Sequence, residues 1–364
     1  LSLEDTVDSD SIISTDKDKI RVKDYSAISV MSGLKSLYLN SDIIKDIGFI
    51  KGLPALEDLT LEDTAVISLA SLSEMPALRS LTLLGNNKVQ DFGPVGTATG
   101  LTSLSIDKMT SQPDPDLSSL SGLEKLDIKG FMSISSVRGL SGLKELSIHN
   151  CNVDQADALS SLTGVERLTF YSVWNSQGNL RSLDFLKGMT GLKYADFTGN
   201  LDGTGWSGYN YLVEVYGDVS SIFNHQGLEE LYLDNGKFEI NFDKIKENPG
   251  LRVLSLRNME LHKNYYVESY GGMTSVWYDD VKLGEHMDIL SRFPNLEELY
   301  LDSNELTDLN FAAGLKNLKR LGLKDNYITD LSPLKQAEFL EYLDIRDNPV
   351  GEVGDVGNGV EILQ

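Results

Sequence analysis

Closely spaced acidic residues are the first features of this chain that could carry chemistry, because neighbouring carboxylates can bind a calcium ion or a cationic partner. Asp8 with Asp10 and Asp114 with Asp116 are the nearest candidates for such a site. The further oxygen ligands and the turn glycine that a calcium loop requires at fixed positions are missing from both segments. We therefore expect no bound metal ion, and the acidic residues indicate a solubilising surface.

The second candidate chemistry is acid–base catalysis by paired carboxylates. Asp196 and Asp234 could serve a glycosidase, but in a chain with 55 acidic residues such a pair is expected without any catalytic role. The four histidines show neither the spacing of metal ligands nor a nucleophile–base signature. Of these, His225 lies where an apolar wall residue is expected, and His149 faces outward on a predicted strand. We predict that the chain is not an enzyme, with a hydrolase that uses an acidic and aromatic pocket as the alternative.

Two further motifs are typical of cofactor and thiol chemistry. Residues 203–208 read G-T-G-W-S-G and match the G-x-G-x-x-G of dinucleotide sites. Such a site needs a following helix, and the residues after Asn210 lack an amphipathic helical pattern. Cys151 is the only cysteine, which excludes an internal disulfide and a zinc site made of several cysteines. We predict a buried structural thiol there and no cofactor.

Charge and hydropathy restrict the partners of the chain. The formal net charge is -23, from 55 acidic and 32 basic residues, so nucleic acids and anionic membrane surfaces would repel it. No segment approaches the roughly 18 consecutive apolar residues of a membrane-spanning helix. The chain begins with Leu1 rather than methionine, and we expect that a targeting segment has been removed. We expect a monomer with no nucleic-acid partner and no membrane span.

The strongest signal in the sequence is the pattern L-x-x-L-x-L, which recurs in about thirteen units. Most units are about 22 residues long, as from Leu34 to Leu56. The fourth and sixth positions of every unit are apolar. The units begin at Leu34, Leu56, Leu78, Leu101, Leu123, Leu143, Val165, Leu192, Leu228, Leu251, Leu296, Leu318 and Leu340.

This periodicity predicts an α/β fold, a right-handed solenoid of stacked repeats. In x-L-x-L-x the side chains alternate, so the leucines point inward and the residues between them point out of a concave parallel sheet. A second apolar pair in each unit closes the far wall through short helices or 3₁₀ turns, with the best helical patterns near 243–247 and 285–292. One unit cannot bury its own apolar face, but stacked units can. The predicted organisation is an N-terminal segment and cap at 1–33, a repeat domain at 34–350 and a tail at 351–364.

These units resemble those of leucine-rich repeat proteins of the internalin-like class of bacterial surface proteins. In that class an asparagine ninth in the unit hydrogen-bonds the backbone of neighbouring turns. Here that position holds Asn86, Asn200, Asn304, Asn326 and Asn348. The middle units depart from the pattern with Met109, Phe131, Val173, Gly236 and Met259, whereas Asp42, Thr64 and Cys151 are plausible substitutes. The resemblance implies a secreted or cell-surface location in a bacterium and a protein-binding or adhesive role.

Three units carry extra residues after the strand, at 174–179, 201–218 and 262–281. Together these insertions hold all three tryptophans and seven of the fifteen tyrosines, in loops that the fold does not need. Large rings with few rotatable bonds favour recognition surfaces. The alternative interpretation is that the rings pack on one another as a small satellite core.

Tyrosines at outward positions of the neighbouring strands extend this aromatic region. We predict a ligand-binding site that combines them with two acidic residues and the insertion rings. Its residues are Tyr171, Trp174, Tyr194, Asp196, Trp206, Tyr209, Tyr211, Tyr232, Asp234, Tyr265, Tyr266, Trp277, Tyr278 and Tyr300. The predicted function is non-enzymatic binding of a protein ligand, and the alternatives are a carbohydrate-binding adhesion module and a purely structural spacer.

Overall fold

The computed structural model describes residues 2–4, 26–171, 173, 183–198, 215–270, 273–351, 353, 356 and 359–364. Within strands and helices, side chains are described except at 2–4, 26, 215–217, 237, 264–270 and 273–278. The chain divides into two compact units, Leu1–Val165 and Glu166–Gln364, and this division falls inside the predicted repeat domain.

The first unit is a parallel sheet whose strands follow one another in sequence order, joined by short 3₁₀ helices. Its strands are β1 (Ser2–Glu4), β2 (Ser36–Asn40), β3 (Asp58–Glu62), β4 (Ser80–Leu84), β5 (Ser103–Asp107), β6 (Lys125–Lys129) and β7 (Glu145–His149). The 3₁₀ helices are Ser26–Val30, Gly48–Gly52, Ala70–Glu74, Gly93–Thr97, Ser135–Val137 and Ala156–Ser161.

The second unit contains a parallel repeat sheet and a second, four-stranded sheet. The repeat strands are β8 (Arg167–Tyr171), β9 (Tyr194–Asp196), β11 (Glu230–Tyr232), β13 (Val253–Ser255), β16 (Glu298–Tyr300), β17 (Arg320–Gly322), β18 (Tyr342–Asp344) and β19 (Glu361–Leu363). The second sheet holds β10 (Val215–Asp218), β12 (Lys237–Glu239), β14 (Glu260–Tyr270) and β15 (Met273–Val281). The helices are 3₁₀ at Asp184–Gly188, Phe242–Lys244, Leu283–Arg292, Asn310–Gly314 and Ser332–Gln336, and α at Ser220–Phe223.

The alternation of each L-x-L strand produces the buried side of the sheet. Leu37 and Leu39 of β2 are 1% and 0% exposed, whereas the residues between and beside them are partly or fully exposed. Neighbouring repeats pair in the register that stacks these leucines, as Leu37 with Leu59. The described part of the chain therefore confirms the predicted α/β solenoid of leucine-rich repeats, and both segments with helical patterns carry 3₁₀ turns.

Two segments outside the predicted repeat domain also supply repeat strands. In the segment 351–364, predicted as a tail, Ile362 of β19 pairs with Leu343 of β18 in the register of a repeat. At the other end, Leu3 of β1 pairs with Leu39 of β2. Each short strand pairs along an edge of the repeat sheet of its own unit and satisfies backbone groups that would otherwise remain open.

The insertion predicted at 262–281 is a β-hairpin that extends from β14 to β15. The two strands are antiparallel, and Tyr266 pairs with Trp277. The start of β14 also pairs in parallel with β12, where Leu261 lies opposite Phe238. This pairing anchors the hairpin to the rest of the second sheet. The antiparallel pairing lies within one repeat, and successive repeats remain parallel.

The asparagine ladder is present where the sequence predicts it. Asn326 donates from Nδ2 to the carbonyl oxygens of Leu301 at 3.0 Å and Leu323 at 2.9 Å. Its Oδ1 accepts from the backbone N–H groups of Asn304 at 3.1 Å and Leu306 at 2.9 Å. One amide thus satisfies four backbone groups inside the stack. Equivalent contacts are made by Asn86, Asn304 and Asn348, and Asn200 lies outside the described residues.

A buried ion pair replaces the ladder in the middle of the first unit. The side chain of Lys108 is 0% exposed, and its Nζ lies 2.8 Å from Oδ1 of Asp114. The same ammonium donates to the carbonyl oxygens of Gln112 at 2.7 Å and Gly130 at 2.9 Å. Asp114, considered above as a calcium ligand, is therefore the counterion of a buried lysine.

Cys151 also substitutes for a ladder asparagine, as predicted. Its Sγ accepts from the N–H of Phe131 at 3.3 Å and donates to the carbonyl oxygen of His149 at 3.1 Å. Burial raises the pKa of the Cys151 thiol to about 12. A thiol that stays protonated is a poor nucleophile, so this cysteine is structural.

The residues at the second position of successive repeats form a row in which positive and negative charges nearly alternate. The sequence analysis missed this row. In the first unit this row reads Lys35, Glu57, Arg79, Thr102, Glu124 and Lys144; in the second it reads Glu166, Lys193, Glu229, Arg252, Glu297, Lys319 and Glu341. Neighbours form exposed ion pairs, for example Lys193 with Glu166 at 2.8 Å and Lys319 with Glu297 at 2.7 Å. Such exposed pairs contribute little stability individually, but the alternation avoids like charges on adjacent repeats.

Candidate ligand-binding face

The side of the repeat strands opposite the buried leucines carries two rows of residues in the second unit, set by the strand register. The first row is Arg167, Tyr194, Glu230, Val253, Glu298, Arg320 and Tyr342. The second row is Thr169, Asp196, Tyr232, Ser255, Tyr300, Gly322 and Asp344. We call this surface, with Arg257 beside it, the tyrosine face.

One end of the tyrosine face is a stack of a guanidinium and two phenol rings. Cζ of Arg167 lies 3.6 Å from the ring centroid of Tyr194. The rings of Tyr194 and Tyr232 are 5.4 Å apart and tilted by 41°. Their hydroxyls donate to carboxylates, that of Tyr194 to Asp196 at 3.2 Å and that of Tyr232 to Glu230 at 3.1 Å. Each ring is thus fixed at its edge and at one face.

The other end repeats this chemistry around Tyr300. Cζ of Arg257 lies 4.3 Å from the Tyr300 centroid, and the Tyr300 hydroxyl donates to Glu298 at 2.6 Å. Nε of Arg320 donates to the same hydroxyl oxygen at 3.3 Å, while its Cζ lies 4.2 Å from the ring of Tyr342. Cation–π contacts of this kind hold aromatic rings in one orientation before any ligand arrives.

Asp234 does not project from the face as the sequence predicted. Its residue is 6% exposed, and Oδ1 accepts from the Ser255 hydroxyl at 2.6 Å and the Arg257 N–H at 2.9 Å. Oδ2 lies 3.1 Å from the Arg257 guanidinium, whose Nε also donates to Asp302 at 2.8 Å. Asp234 therefore positions Arg257 over Tyr300 and does not itself offer a free carboxylate.

Partial burial makes the tyrosine hydroxyls on this face harder to ionise. Burial, with the nearby Asp196 carboxylate, raises the pKa of Tyr194 to about 12. Burial likewise raises the pKa values of Tyr232 and Tyr300, and the carboxylates that accept their protons add to the shift. At neutral pH the face thus presents uncharged rings between fixed charges.

The raised pKa of Tyr194 predicts a loss of stability in alkaline solution. A folded-state pKa above the ordinary value of 10.0 stabilises the fold fully below pH 10.0, and this contribution disappears as the pH rises to about 12. Tyr194→Phe keeps the ring but removes the titrating hydroxyl. We expect the stability of this variant, measured by urea unfolding across this range, to fall less steeply than that of the wild type. Identical slopes would contradict the described environment of Tyr194.

Apart from Asp234, the predicted site residues divide into three groups. Tyr194, Asp196, Tyr232 and Tyr300 come together on the tyrosine face, and Tyr171 lies at the end of β8 with 52% exposure. Four predicted residues belong to the strands of the hairpin: Tyr265, Tyr266, Trp277 and Tyr278. Only their backbones are described, and their side chains are not. Four others lie wholly outside the described residues: Trp174, Trp206, Tyr209 and Tyr211.

Sequence reasoning missed the arginines that hold the rings. Arg167, Arg320 and Tyr342 occupy the third position of their repeats, directly before the fourth-position leucine, and this position faces outward. Arg257 follows the sixth-position leucine of its repeat. A search of the outward positions for cations as well as for tyrosines would have found these three arginines and Tyr342.

The described residues offer little support for catalysis. They contain no group of three or more His, Cys, Asp or Glu side chains placed to hold a metal ion. In the first unit, Asp127 lies between the Ser105 hydroxyl at 3.3 Å and the His149 imidazole at 3.4 Å. This is not the nucleophile–base–carboxylate order that activates a serine. His225, the predicted wall histidine, contacts the carbonyl oxygen of Met189 at 3.1 Å.

A groove of about 840 Å³ lies beside the starts of the repeat strands in the second unit. It is lined partly by the row of alternating charges, including Arg252, Glu297 and Lys319. These charges pair with one another, as Arg252 Nε with Glu297 at 2.8 Å. The groove lining has three cations, Lys193, Arg252 and Lys319, and two carboxylates, Glu229 and Glu297, and ion pairs along the row largely compensate these charges. No helix among the described residues has the length and apolarity to cross a membrane.

The stacked repeats give the chain the fold of leucine-rich repeat proteins. Residues 294–336 match the family model described as Leucine Rich repeats (2 copies). No curated protein matches the chain. In fold it is internalin-like, as the comparison with solved structures shows.

Three solved structures illustrate this similarity. An internalin of Listeria monocytogenes has a TM-score of 0.65 at 16% identity, over 93% of this chain and 88% of that chain. A leucine-rich repeat protein of Leptospira interrogans has a TM-score of 0.52 at 16% identity, over 93% and 98%. A chain of the Toll–Spätzle complex of Drosophila has a TM-score of 0.60 at 17% identity, over 86% and 39%. At these identities the likeness defines the fold and not the ligand.

Proposed function

We propose that this chain is a non-enzymatic surface or secreted module that binds a protein ligand through the tyrosine face. The observation that carries the proposal is the set of half-buried rings, Tyr194, Tyr232 and Tyr300. Each hydroxyl donates to a carboxylate, guanidinium groups lie over Tyr194 and Tyr300, and Tyr232 packs on Tyr194. Rings fixed in advance lose little conformational freedom on binding, which is why tyrosine and arginine dominate the energetics of many interfaces. The similarity in fold to a chain of the Toll–Spätzle complex adds support.

The aromatic insertions are proposed to extend this binding surface. The insertions follow β8, β9 and β13 in sequence, so each begins a few residues after a strand that contributes to the tyrosine face. We propose that Trp206 and Trp277 act as further anchors. Replacing either one by alanine is expected to weaken ligand binding by about 2 kcal/mol or more.

A protein ligand is favoured over a sugar because of the arrangement of the rings. A sugar-binding row usually offers coplanar rings and free hydrogen-bonding groups beside them. Here Tyr194 and Tyr232 are tilted by 41°, and both hydroxyls are occupied by carboxylates of the chain itself. A broad, partly apolar surface with its polar groups already paired suits the flat contact of a protein.

The proposed function is tested by probing arrays of purified cell-surface proteins and of glycans with the intact chain. We expect protein ligands whose binding weakens by about 30-fold in Tyr232→Ala, the loss typical of an interface hot spot. Tyr38→Ala is the matched control, because Tyr38 occupies the same repeat position in the first unit and also donates to a carboxylate, Glu62, at 2.6 Å. Glycan binding that requires Tyr232, with no protein ligand, would replace this proposal by the carbohydrate alternative.

A further inference from the structure

Among the described residues Arg167 has no acidic partner, unlike the other cations of the tyrosine face. Arg257 pairs with Asp234 and Asp302, at 3.1 and 2.8 Å. The remaining cation of the face, Arg320, pairs with Glu298 at 4.0 Å. Two further cations, each two residues after a member of the second row, pair as well: Lys324 with Asp347 at 3.7 Å and Arg346 with Asp344 at 2.6 Å. Among the ion pairs and hydrogen bonds of the described residues, none involves the guanidinium of Arg167, which is exposed.

The stack on Tyr194 fixes the orientation of this unpaired guanidinium. With Cζ only 3.6 Å from the ring centroid, the two planes must lie nearly parallel, because a perpendicular guanidinium would push its nitrogens into the ring. In a parallel stack, the ring covers one face of the guanidinium and the N–H groups point outward along its edge. These donors are arranged to receive an anion in the plane of the guanidinium, as a bidentate carboxylate does.

Covering the tyrosine face would bury this charge. The other cations carry their counterions with them, so a partner can dehydrate them without leaving a charge unpaired. Arg167 would be left unpaired under a partner that supplied no anion, and burying an unpaired charge strongly disfavours binding. A partner that fits this face therefore has to bring an anionic group to this one position.

We propose that the protein ligand places a carboxylate, from an aspartate, a glutamate or a chain terminus, against the edge of Arg167 and packs an apolar group on the neighbouring Tyr194–Tyr232 pair. This inference rests on the proposed function of the tyrosine face. The proposed contact also defines where an acidic group of the ligand binds. The chain has a net charge of -23, so most of its surface repels an acidic segment, and Arg167 is a local exception.

The test uses a phage-displayed library of random linear peptides selected against the intact protein. Recovered peptides are measured against the wild type, Arg167→Gln and Tyr232→Ala. We expect the peptides to share an acidic residue, and binding to fall by about 30-fold in Arg167→Gln, the size of a typical hot-spot loss. Arg167→Lys should restore part of the affinity, because the charge returns without the planar fork. Arg138→Gln is the control, since Arg138 pairs with Asp157 in the first unit at 2.9 Å.

A double-mutant cycle makes the assignment specific. Changing the acidic residue of the peptide to its amide should weaken binding to the wild type and cause no further loss in Arg167→Gln. If peptides depend on Tyr232 but are indifferent to Arg167 or to the amide change, the carboxylate assignment is wrong while the proposed function stands. Recovery of no Tyr232-dependent peptide would overturn both. Dependence on Arg167 for a sialylated glycan alone would likewise overturn the assignment to a protein carboxylate.

Discussion

Replacing Asp114 by alanine is expected to lower the free energy of unfolding by about 3 to 5 kcal/mol, the cost of breaking a buried ion pair. The variant leaves the ammonium of Lys108, whose side chain is 0% exposed, without its counterion at 2.8 Å. It also removes the acceptor of two backbone N–H groups, those of Met132 at 3.1 Å and Ser133 at 2.8 Å. Urea unfolding followed by circular dichroism measures the loss.

Two controls separate the buried pair from a general effect of charge. Asp116→Ala removes an exposed carboxylate two residues away and should change stability little. The double variant Lys108→Met, Asp114→Asn removes both charges and keeps an oxygen acceptor for one of the two N–H groups, so it should lose less than Asp114→Ala. Equal losses for Asp114→Ala and Asp116→Ala would contradict the role assigned to the pair.

The regular repeats were predictable because their cause is local. Leu231 and Leu233 of a unit must both point inward on an extended strand, and the 22-residue spacing determines where the next strand begins. The ladder positions, such as Asn326, follow from the same count. Lys108 could not be predicted as buried, because a lysine that follows a strand is usually exposed and its burial depends on Asp114 and on the backbone carbonyls of Gln112 and Gly130.

The candidate site was predictable in part for the same reason. Counting outward positions places Tyr194 and Tyr232 on neighbouring strands. It does not show that Arg257 turns toward Tyr300, a partner 43 positions later, or that Arg257 and Ser255 cover Asp234. These contacts depend on side-chain directions across strands separated by a hairpin whose length the repeat pattern does not specify. The hairpin itself depends on nonlocal pairing, as between Tyr266 and Trp277.

Removing both rings of the Tyr194–Tyr232 pair is expected to have the largest effect on binding. The double variant Tyr194→Ala, Tyr232→Ala deletes the rings on which Arg167 is stacked. Its affinity should be about 100-fold or more below that of the wild type, a larger loss than that of either single variant. Surface plasmon resonance with a protein ligand from the array measures this loss. The matched control is Tyr38→Ala, which should bind as the wild type does.

A double variant that bound normally would show that the ligand contacts another surface. An intermediate loss equal to that of Tyr232→Ala alone would assign the contact to one ring. Because Tyr194 and Tyr232 touch, with centroids 5.4 Å apart, their separate losses are not expected to add, and the cycle of single and double variants measures their coupling.

The most direct test of the central claim compares affinity and melting temperature for Tyr232→Ala and Leu231→Ala, adjacent residues of β11 on opposite sides of the sheet. Leu231 is 0% exposed, so its loss should lower stability by about 2 to 5 kcal/mol and leave the affinity of the folded protein unchanged. Tyr232→Ala should weaken ligand binding by about 30-fold with a much smaller change in melting temperature. If Tyr232→Ala instead lowers the melting temperature as much as Leu231→Ala and leaves affinity unchanged, the tyrosine face is a structural brace and not a binding surface.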